Sequence, residues 1–297
     1  MKQKKNVDFP HSEEECIAAL YNAKWPEGFR CPECGYDKAY CITTRRLPLY
    51  ECANCHAQPS LIVGTVMEGT KLPVASWFQA FRLHASPDGI NALQLSKIIS
   101  VTYKTAWLLC HKIRHAMSQA EAGWLLSGLV KVTSTIYCIQ HLTKHNFTWH
   151  DREQSLLIGA SGARSGQFDT IKLKLQNKHA LGFKREFPDP DAFIKQNVAD
   201  DAKDKVAILS LQKRNRDYKV TRIADLAQRR LGALFGGIGP KHLQTYLDQF
   251  CYDWNWRGNS KFDNLLRQCA RTRTIIYRKL IGATLQEQSG LALQSAA

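Results

Sequence analysis

Four cysteines stand at the spacing of a metal site: Cys31-Pro-Glu-Cys34-Gly and, 17 intervening residues later, Cys52-Ala-Asn-Cys55-His. Each C-x2-C turn aims two thiolates at one point, and two such turns complete the tetrahedron that Zn²⁺ prefers. A closed set of four thiolates leaves no open coordination position, so the chemistry is structural rather than catalytic. Cys41 and His56 lie nearby, but the set is complete without them. The extended runs at 39–43 and 49–51, joined through Arg45-Arg46, predict the paired strands of a zinc ribbon over residues 26–66. The other cysteines are scattered, which reads as a reduced, cytoplasmic protein rather than a disulfide framework.

The elements around this module follow from periodicity. Cys16, Ile17, Leu20 and Tyr21 fall on one face of a short helix within 1–25, with Ser12 as its N-cap. Within 70–120, Pro73 opens a helix carrying Trp77, Phe81 and His84 at helical spacing, and Ser86-Pro-Asp-Gly89 ends it. A short amphipathic helix follows from Asn91 to Ile99. After the turn at 100–105 comes a longer helix to Met117, with Ala106, Leu109, Cys110, Ile113 and Met117 inward. A short helix, a turn and a longer helix make the helix-turn-helix plan, whose second helix enters the major groove of DNA. From Gly89 to Ala120 there is no Asp or Glu, while Lys97, Lys104, Lys112, Arg114, His111 and His115 share the window. Lys97, Tyr103, Lys104, Thr105, Lys112 and Arg114 are the candidate DNA contacts, and Trp77, Phe81 and Trp107 the candidate core.

Composition agrees. The 297 residues carry a formal net charge of +15, which points to a polyanionic partner, and 44% hydrophobic content leaves material for a sizeable core. Lys2, Lys4, Lys5 and Glu13 to Glu15 lead no apolar stretch of the secretory type. No run approaches the ~20 apolar residues of a membrane span.

Several motifs resemble a known family. They are Trp25-Pro-Glu-Gly-Phe-Arg-Cys-Pro-Glu-Cys-Gly; Gly64-Thr65 with Leu72-Pro73 and Trp77-Phe78; Ala92-Leu-Gln-Leu-Ser; Tyr103-Lys-Thr-Ala-Trp107; and His111-Lys-Ile-Arg114. Together they are similar to bacterial insertion-sequence transposases of the ISXO-like group. Lys241 to Asp248, then Phe250, Asn255, Arg257, Phe262-Asp263 and Leu265-Leu266, extend the resemblance, which is weak over 134–220. It implies a multidomain chain: a zinc ribbon plus helix-turn-helix, followed over 125–285 by an α/β RNase H-like domain of the DDE transposase type. It further implies binding to terminal inverted repeats of double-stranded DNA, self-association, and phosphodiester cleavage and strand transfer with Mg²⁺ or Mn²⁺.

That chemistry needs carboxylates around a pair of divalent ions. The strand expected to carry the first Asp reads Val130-Lys-Val-Thr133-Ser134, and a threonine hydroxyl is no substitute for an anionic bridging ligand. The strand expected to end in the second, Val206 to Leu211, ends without one; Asp200 and Asp201 lie just upstream as candidate ligands. Gln249 occupies the third acid position, and the same region keeps Asn255 and Lys261, with Asp248 and Asp253 as further oxygens. Asp200, Asp201, Asn255 and Lys261 are therefore the candidate catalytic residues. The alternative is a catalytically inactive or domesticated transposase acting as a sequence-specific DNA-binding protein; a zinc-ribbon transcription regulator would not need the long α/β half. The turn at 159–166 and the alternating run from Phe168 to Leu175 predict a further strand. Lys261, Arg267, Arg271, Arg273 and Arg278 predict a basic C-terminal helix over DNA backbone.

Overall fold

The computed structural model describes residues 12–138, 148–162, 168–184, 186–209, 217–257 and 260–282. The chain divides into two compact units: residues 1–86, 92–116 and 262–297 form one, and residues 87–91 and 117–261 the other.

The first unit begins with α1 (Glu13–Lys24). Ser12 caps it through a reciprocal box: its hydroxyl accepts from the Glu15 N–H at 3.1 Å, and its own N–H donates to the Glu15 carboxylate at 3.2 Å. Cys16 and Leu20 are its buried residues. Two short antiparallel strands follow, β1 (Ala39–Ile42) and β2 (Leu49–Cys52), in register Ala39↔Cys52 to Ile42↔Leu49. Trp25, Phe29 and Tyr50 pack with Tyr21 as an aromatic cluster, centroids 5.0 to 5.9 Å apart, and tie α1 to the hairpin.

Helix α2 (Val74–Ala85) starts without a side-chain cap of its own. The cap comes from Glu13, whose two carboxylate oxygens accept from the Val74 and Ala75 N–H groups at 2.8 Å each. An anion on the positive end of a helix is favourable twice over, through hydrogen bonds and through the dipole. Glu13→Ala is therefore expected to lower stability by about 1–2 kcal/mol, seen as a drop in the urea midpoint. An unmoved midpoint would mean water serves those amides equally well.

Helices α3 (Ala92–Ile98) and α4 (Tyr103–Ala122) are separated by a four-residue turn. Ser100 sits in the left-handed region at φ 53°, and the Val101 N–H returns to the Ser96 carbonyl at 3.0 Å. Thr102 starts α4: its hydroxyl accepts from the Thr105 N–H and its carbonyl from Ala106. The same unit takes back the C-terminal part of the chain. Most of α8 (Lys261–Arg271) and all of α9 (Tyr277–Ile281) group with it. Phe262, Leu265, Leu266 and Cys269 form the buried stripe of α8, and Phe262 meets Phe78 edge to face at 6.0 Å. A unit running from 125 to 285 therefore differs from the observed grouping, because this stripe buries against the N-terminal core.

The second unit is built on four strands: β3 (Val130–Tyr137), β4 (Gln154–Ser161), β5 (Thr170–Gln176) and β6 (Val206–Leu209). Their order is β5-β4-β3-β6; β3, β4 and β5 form an antiparallel meander, and β6 joins β3 in parallel. Both faces are covered. Leu156, Ile158, Ala160, Ile171 and Leu173 pack against α6 (Tyr218–Phe235) and α7 (Pro240–Asn255). Val130, Val132 and Leu157 pack with Phe193 of α5 (Asp191–Asn197) and with Leu126 and Val198. Hence every residue of β4 is buried. At Gly159 a Cβ would lie 2.7 Å from the Phe193 ring, so glycine is what allows that ring to close on the sheet.

Helix α7 lies along β5 and satisfies its outer backbone with two amide side chains. Gln244 donates to the Leu173 carbonyl at 3.0 Å and accepts from the Leu175 N–H at 2.8 Å. Asn255 accepts from the Ile171 N–H at 2.9 Å and donates to its carbonyl at 3.2 Å. Eleven residues apart, they lie about three turns along one helix face, and they make the bonds a fifth strand would make.

Candidate metal centre and candidate nucleic-acid interface

The two knuckles repeat one backbone design. The Gly35 N–H returns to the Cys31 carbonyl at 2.9 Å, and the His56 N–H to the Cys52 carbonyl at 3.1 Å. Both turning residues are left-handed, Gly35 at φ 74° and His56 at φ 57°. In each case the first cysteine's own N–H then bonds forward, Cys31 to Tyr36 and Cys52 to Ala57. The result brings the sulfurs of Cys31, Cys34, Cys52 and Cys55 within 4.8 Å of one another. The Cys31–Cys55 and Cys34–Cys52 sulfurs are 3.6 Å apart. A zinc–sulfur bond of ~2.3 Å gives a tetrahedron edge of about 3.8 Å, whereas a disulfide would bring sulfurs to ~2.05 Å. The set fits structural Zn²⁺.

As thiols, these sulfurs compete for protons. The Tyr36 N–H, then neighbouring side chains, draw Cys34 down to about 6. Cys55 keeps its proton up to about 12: the Ala57 N–H opposes this, but the Cys34 sulfur, then desolvation, then the Cys31 and Cys52 sulfurs outweigh it. A dication resolves the competition in favour of four thiolates. His56 contributes conformation, not ligation: it lies outside the cysteine set, with its ring mostly in solvent 3.7 Å from Glu51. Cys41 is exposed and also outside the set.

The helical residues divide by face. Lys97, Tyr103 and Lys104 are exposed, Tyr103 by 57%, and Thr105 is half-buried with its hydroxyl 2.9 Å from that of Thr102. Lys112 is half-buried; it donates to the Glu68 carbonyl at 3.3 Å and lies 5.9 Å over the Trp77 ring. Burial lowers its pKa, against the charge of Glu68. Arg114 is only 2% exposed and His111 likewise is inside. An arginine there meets protein, not phosphate, so the structure separates Arg114 from the outward set. Four positions after Cys110 and one after Ile113, it falls within the buried stripe. Trp77 and Phe81 are core, while Trp107 is half-buried and stacks near His111 at 4.1 Å.

Arg114 lies close enough to His84 to matter electrically. Burial first, then the Arg114 charge, push the His84 pKa down to about 3, against a bond to the Ala80 carbonyl. That carbonyl only accepts, so Nδ1 carries the proton and donates at 2.9 Å. The unfolded ring protonates near pH 6.5, the folded one near 3. Between those values the unfolded state holds more protons, so stability present above pH 6.5 drains away as pH falls, by up to about 1.4 kcal/mol per pH unit. His84→Gln is expected to flatten the acid slope of the urea midpoint between pH 6 and 4. Metal loss in acid affects both proteins, so parallel slopes would remove His84 as the cause.

The catalytic candidates are not brought together. Thr133 is buried and donates to the Leu209 carbonyl at 2.9 Å, across the parallel β3–β6 pair. Asp200 and Asp201 lie on a short 3₁₀ turn before Val206, which pairs three residues upstream at Val130. Three rungs separate these ends by about 10 Å. Asp200 is 96% exposed and ion-paired with Lys203 at 2.6 Å, and that pairing lowers its pKa. Asn255 is bonded to β5, at the other edge of the four-stranded sheet from β6, about 14 Å away by strand spacing. Lys261 lies 3.7 Å from buried Asp253, which also meets Arg230 at 3.1 Å. Asp248 is taken by Lys174 at 2.8 Å and by Gln244 at 2.8 Å, and Gln249 is buried on the same helix. Among the described residues, the four cysteines are the sole cluster of three or more Cys, His, Asp or Glu at metal-holding distance.

Two groups escaped sequence reasoning. Asp217 caps α6 and pairs with Lys131 at 2.7 Å; against burial, Lys131 and the Lys219 and Val220 N–H groups hold it below its ordinary value. Glu121, at the end of α4, meets two lysines of β5: Lys172 at 2.9 Å and Lys174 at 2.7 Å. Lys172 also donates to the Glu121 carbonyl.

With the geometry in place, comparison with known proteins identifies the first module. The family described as the transposase zinc-ribbon domain matches residues 11–58. No curated protein and no solved structure matches the chain. Among the described residues, no helix is long and apolar enough to cross a membrane.

Proposed function

We propose that this chain is a transposase-derived, sequence-specific DNA-binding protein, directed to the terminal inverted repeats of an insertion sequence. The observation that carries this reading is a transposase-type ribbon of four cysteines in one compact unit with the α3–turn–α4 pair. Tyr103, Lys104 and Thr105 open α4, where a helix-turn-helix meets base edges and phosphates, and Lys97 stands in the last turn of α3. Lys112 adds positive field from its flank. The free cysteines suit a reducing compartment such as the cytoplasm.

The second unit supports an RNase H-like scaffold. Three antiparallel strands with a fourth parallel to the first, and helices on both faces, are what that reading requires. Its metal chemistry finds less support. Thr133 stands at the first acid position, and Asp200, Asp201 and Asn255 are spread over opposite sheet edges. The segments 139–147, 163–167 and 210–216 contain no Asp or Glu. The inactive, binding-only form is therefore the reading we favour. Active relatives work on paired ends, so self-association belongs to the same proposal.

Binding of the purified, zinc-loaded protein to element ends and to random duplexes tests this. We expect preference for the ends, and no metal-dependent nicking of supercoiled plasmid with Mg²⁺ or Mn²⁺. Lys104→Ala should weaken binding and reduce the salt slope by about one unit. Equal affinity for random DNA sinks the specific reading. Nicking abolished by Asp200→Asn or Asp201→Asn would restore the enzyme.

A further inference from the structure

The C-terminal stretch returns to the helical unit at three points. The Val66 N–H donates to the Cys269 carbonyl at 3.0 Å, and the Thr274 hydroxyl donates to the Val66 carbonyl at 3.1 Å. Farther on, Tyr277 reaches α4: its ring lies 5.1 Å from the Lys104 ammonium and 6.0 Å from the Trp107 ring, edge to face. Lys279 then comes near enough to His115 for its charge, after burial, to depress that imidazole. Residues 269–279 are thus held from the Val66 loop to the flank of α4.

What this segment displays is charge. Arg267, Arg271, Arg273, Arg278 and Lys279 are all exposed. Among the described residues, none of the five forms an ion pair with a carboxylate. No Asp or Glu occurs between Asp263 and Gly282, just as none occurs from Gly89 to Ala120. Two acid-free elements, distant in sequence, are packed side by side. Like charges so gathered repel one another, and a bound polyanion relieves that repulsion. Four of the five are arginines, whose planar fork grips phosphate oxygens in pairs.

We propose that residues 267–279 and the first turns of α4 form one continuous surface for duplex DNA. On it, Arg273, Arg278 and Lys279 take the phosphate backbone beside the groove that α4 enters. The proposal rests on the DNA-binding reading above and extends it to a segment that begins 145 residues after the end of α4. Tyr277 couples the two parts, since its ring packs under Lys104 and fixes where that ammonium stands.

The test compares full-length, zinc-loaded proteins on one duplex across a salt series. R273Q/R278Q/K279Q should lose on the order of 10²-fold in affinity near physiological salt, with a slope shallower by roughly two to three units. K195Q/K205Q/R229Q removes the same net charge from exposed sites of the other unit and should leave the slope near that of the parent. The substituted side chains are exposed, so matching thermal melts will verify folding; R267Q/R271Q supplies an independent variant from α8. A triple variant with the parent's slope overturns the proposal, as does one no weaker than the charge-matched control. Loss of binding to anionic phospholipid vesicles, with DNA binding intact, would also overturn it and assign the surface to membranes. If the parent binds no DNA, the broader functional reading fails instead.

Discussion

Stripping zinc with a chelator, or replacing Cys34 or Cys52 by serine, is expected to unfold residues 26–66 outright. For small sites of this kind, binding free energy is folding free energy, about 10–16 kcal/mol in isolated peptides near neutral pH. Its sheet is two four-residue strands, Trp25, Phe29 and Tyr50 cluster against α1, and its remaining buried apolar side chains, Leu47, Leu61, Ile62 and Val66, lie outside the cysteine knuckles. Without metal, the protons that Cys34 and Cys55 divide unequally must be placed within a set of four sulfurs all inside 4.8 Å of one another, with no compensating cation. The consequence should travel, because the Glu13 cap of α2 depends on α1 staying where the hairpin holds it. Limited proteolysis should open cleavage sites within 26–66, and circular dichroism should report the loss, with recovery on adding Zn²⁺. A chelated protein as protease-resistant as the loaded one would show that the sulfurs are held by packing alone.

The other large effect is expected at Glu121. Its carboxylate has no solvent exposure and lies between Lys172, equally buried, and Lys174, which also reaches Asp248. Two anions and two cations balance. Burial pulls the Lys172 pKa down while Glu121 holds it up; Lys174, flanked by two carboxylates, is raised despite its own burial. Glu121→Gln breaks that balance and strands an ammonium in the interior, at a cost of about 3–5 kcal/mol. Lys172→Met on the same background should return most of that loss, since replacing a buried pair by apolar atoms is often neutral. Urea unfolding of the parent, both singles and the double gives the coupling directly. Additive single effects would mean the pair is electrically inert.

The two halves differed in how far they could be read in advance. The metal centre was legible because ligand spacing is local: a C-x2-C turn carries its own geometry, and two of them sufficed. The helix pair was legible in outline, yet charge counting misassigned Arg114. An acid-free window says nothing about which side of a helix each cation occupies. The buried stripe through Cys110, Ile113 and Met117 did carry that signal, and Arg114 falls inside it. In the α/β unit, the alternating run gave a strand but no partner for Lys172 and Lys174, because Glu121 is about 50 positions away. Asn255 invited a ligand role by type, but its amide matches a peptide group as well as it matches a metal, and β5 was the nearer partner. The return of Phe262–Arg271 to the first unit had an amphipathic stripe to announce it and nothing in sequence to name the surface it would meet.

The amide pair on α7 also bears on the behaviour of the protein in concentrated solution. An unpaired sheet margin is a template on which a second chain can polymerise, and Ile171 to Leu175 is apolar enough on one side to invite it. Gln244 and Asn255 occupy the hydrogen-bonding positions such a chain would need, so fibre growth from β5 is blocked without a guard residue in the strand. Copies of the chain are thereby denied the β5 edge as a site of strand addition, while β6 remains the sheet's other edge.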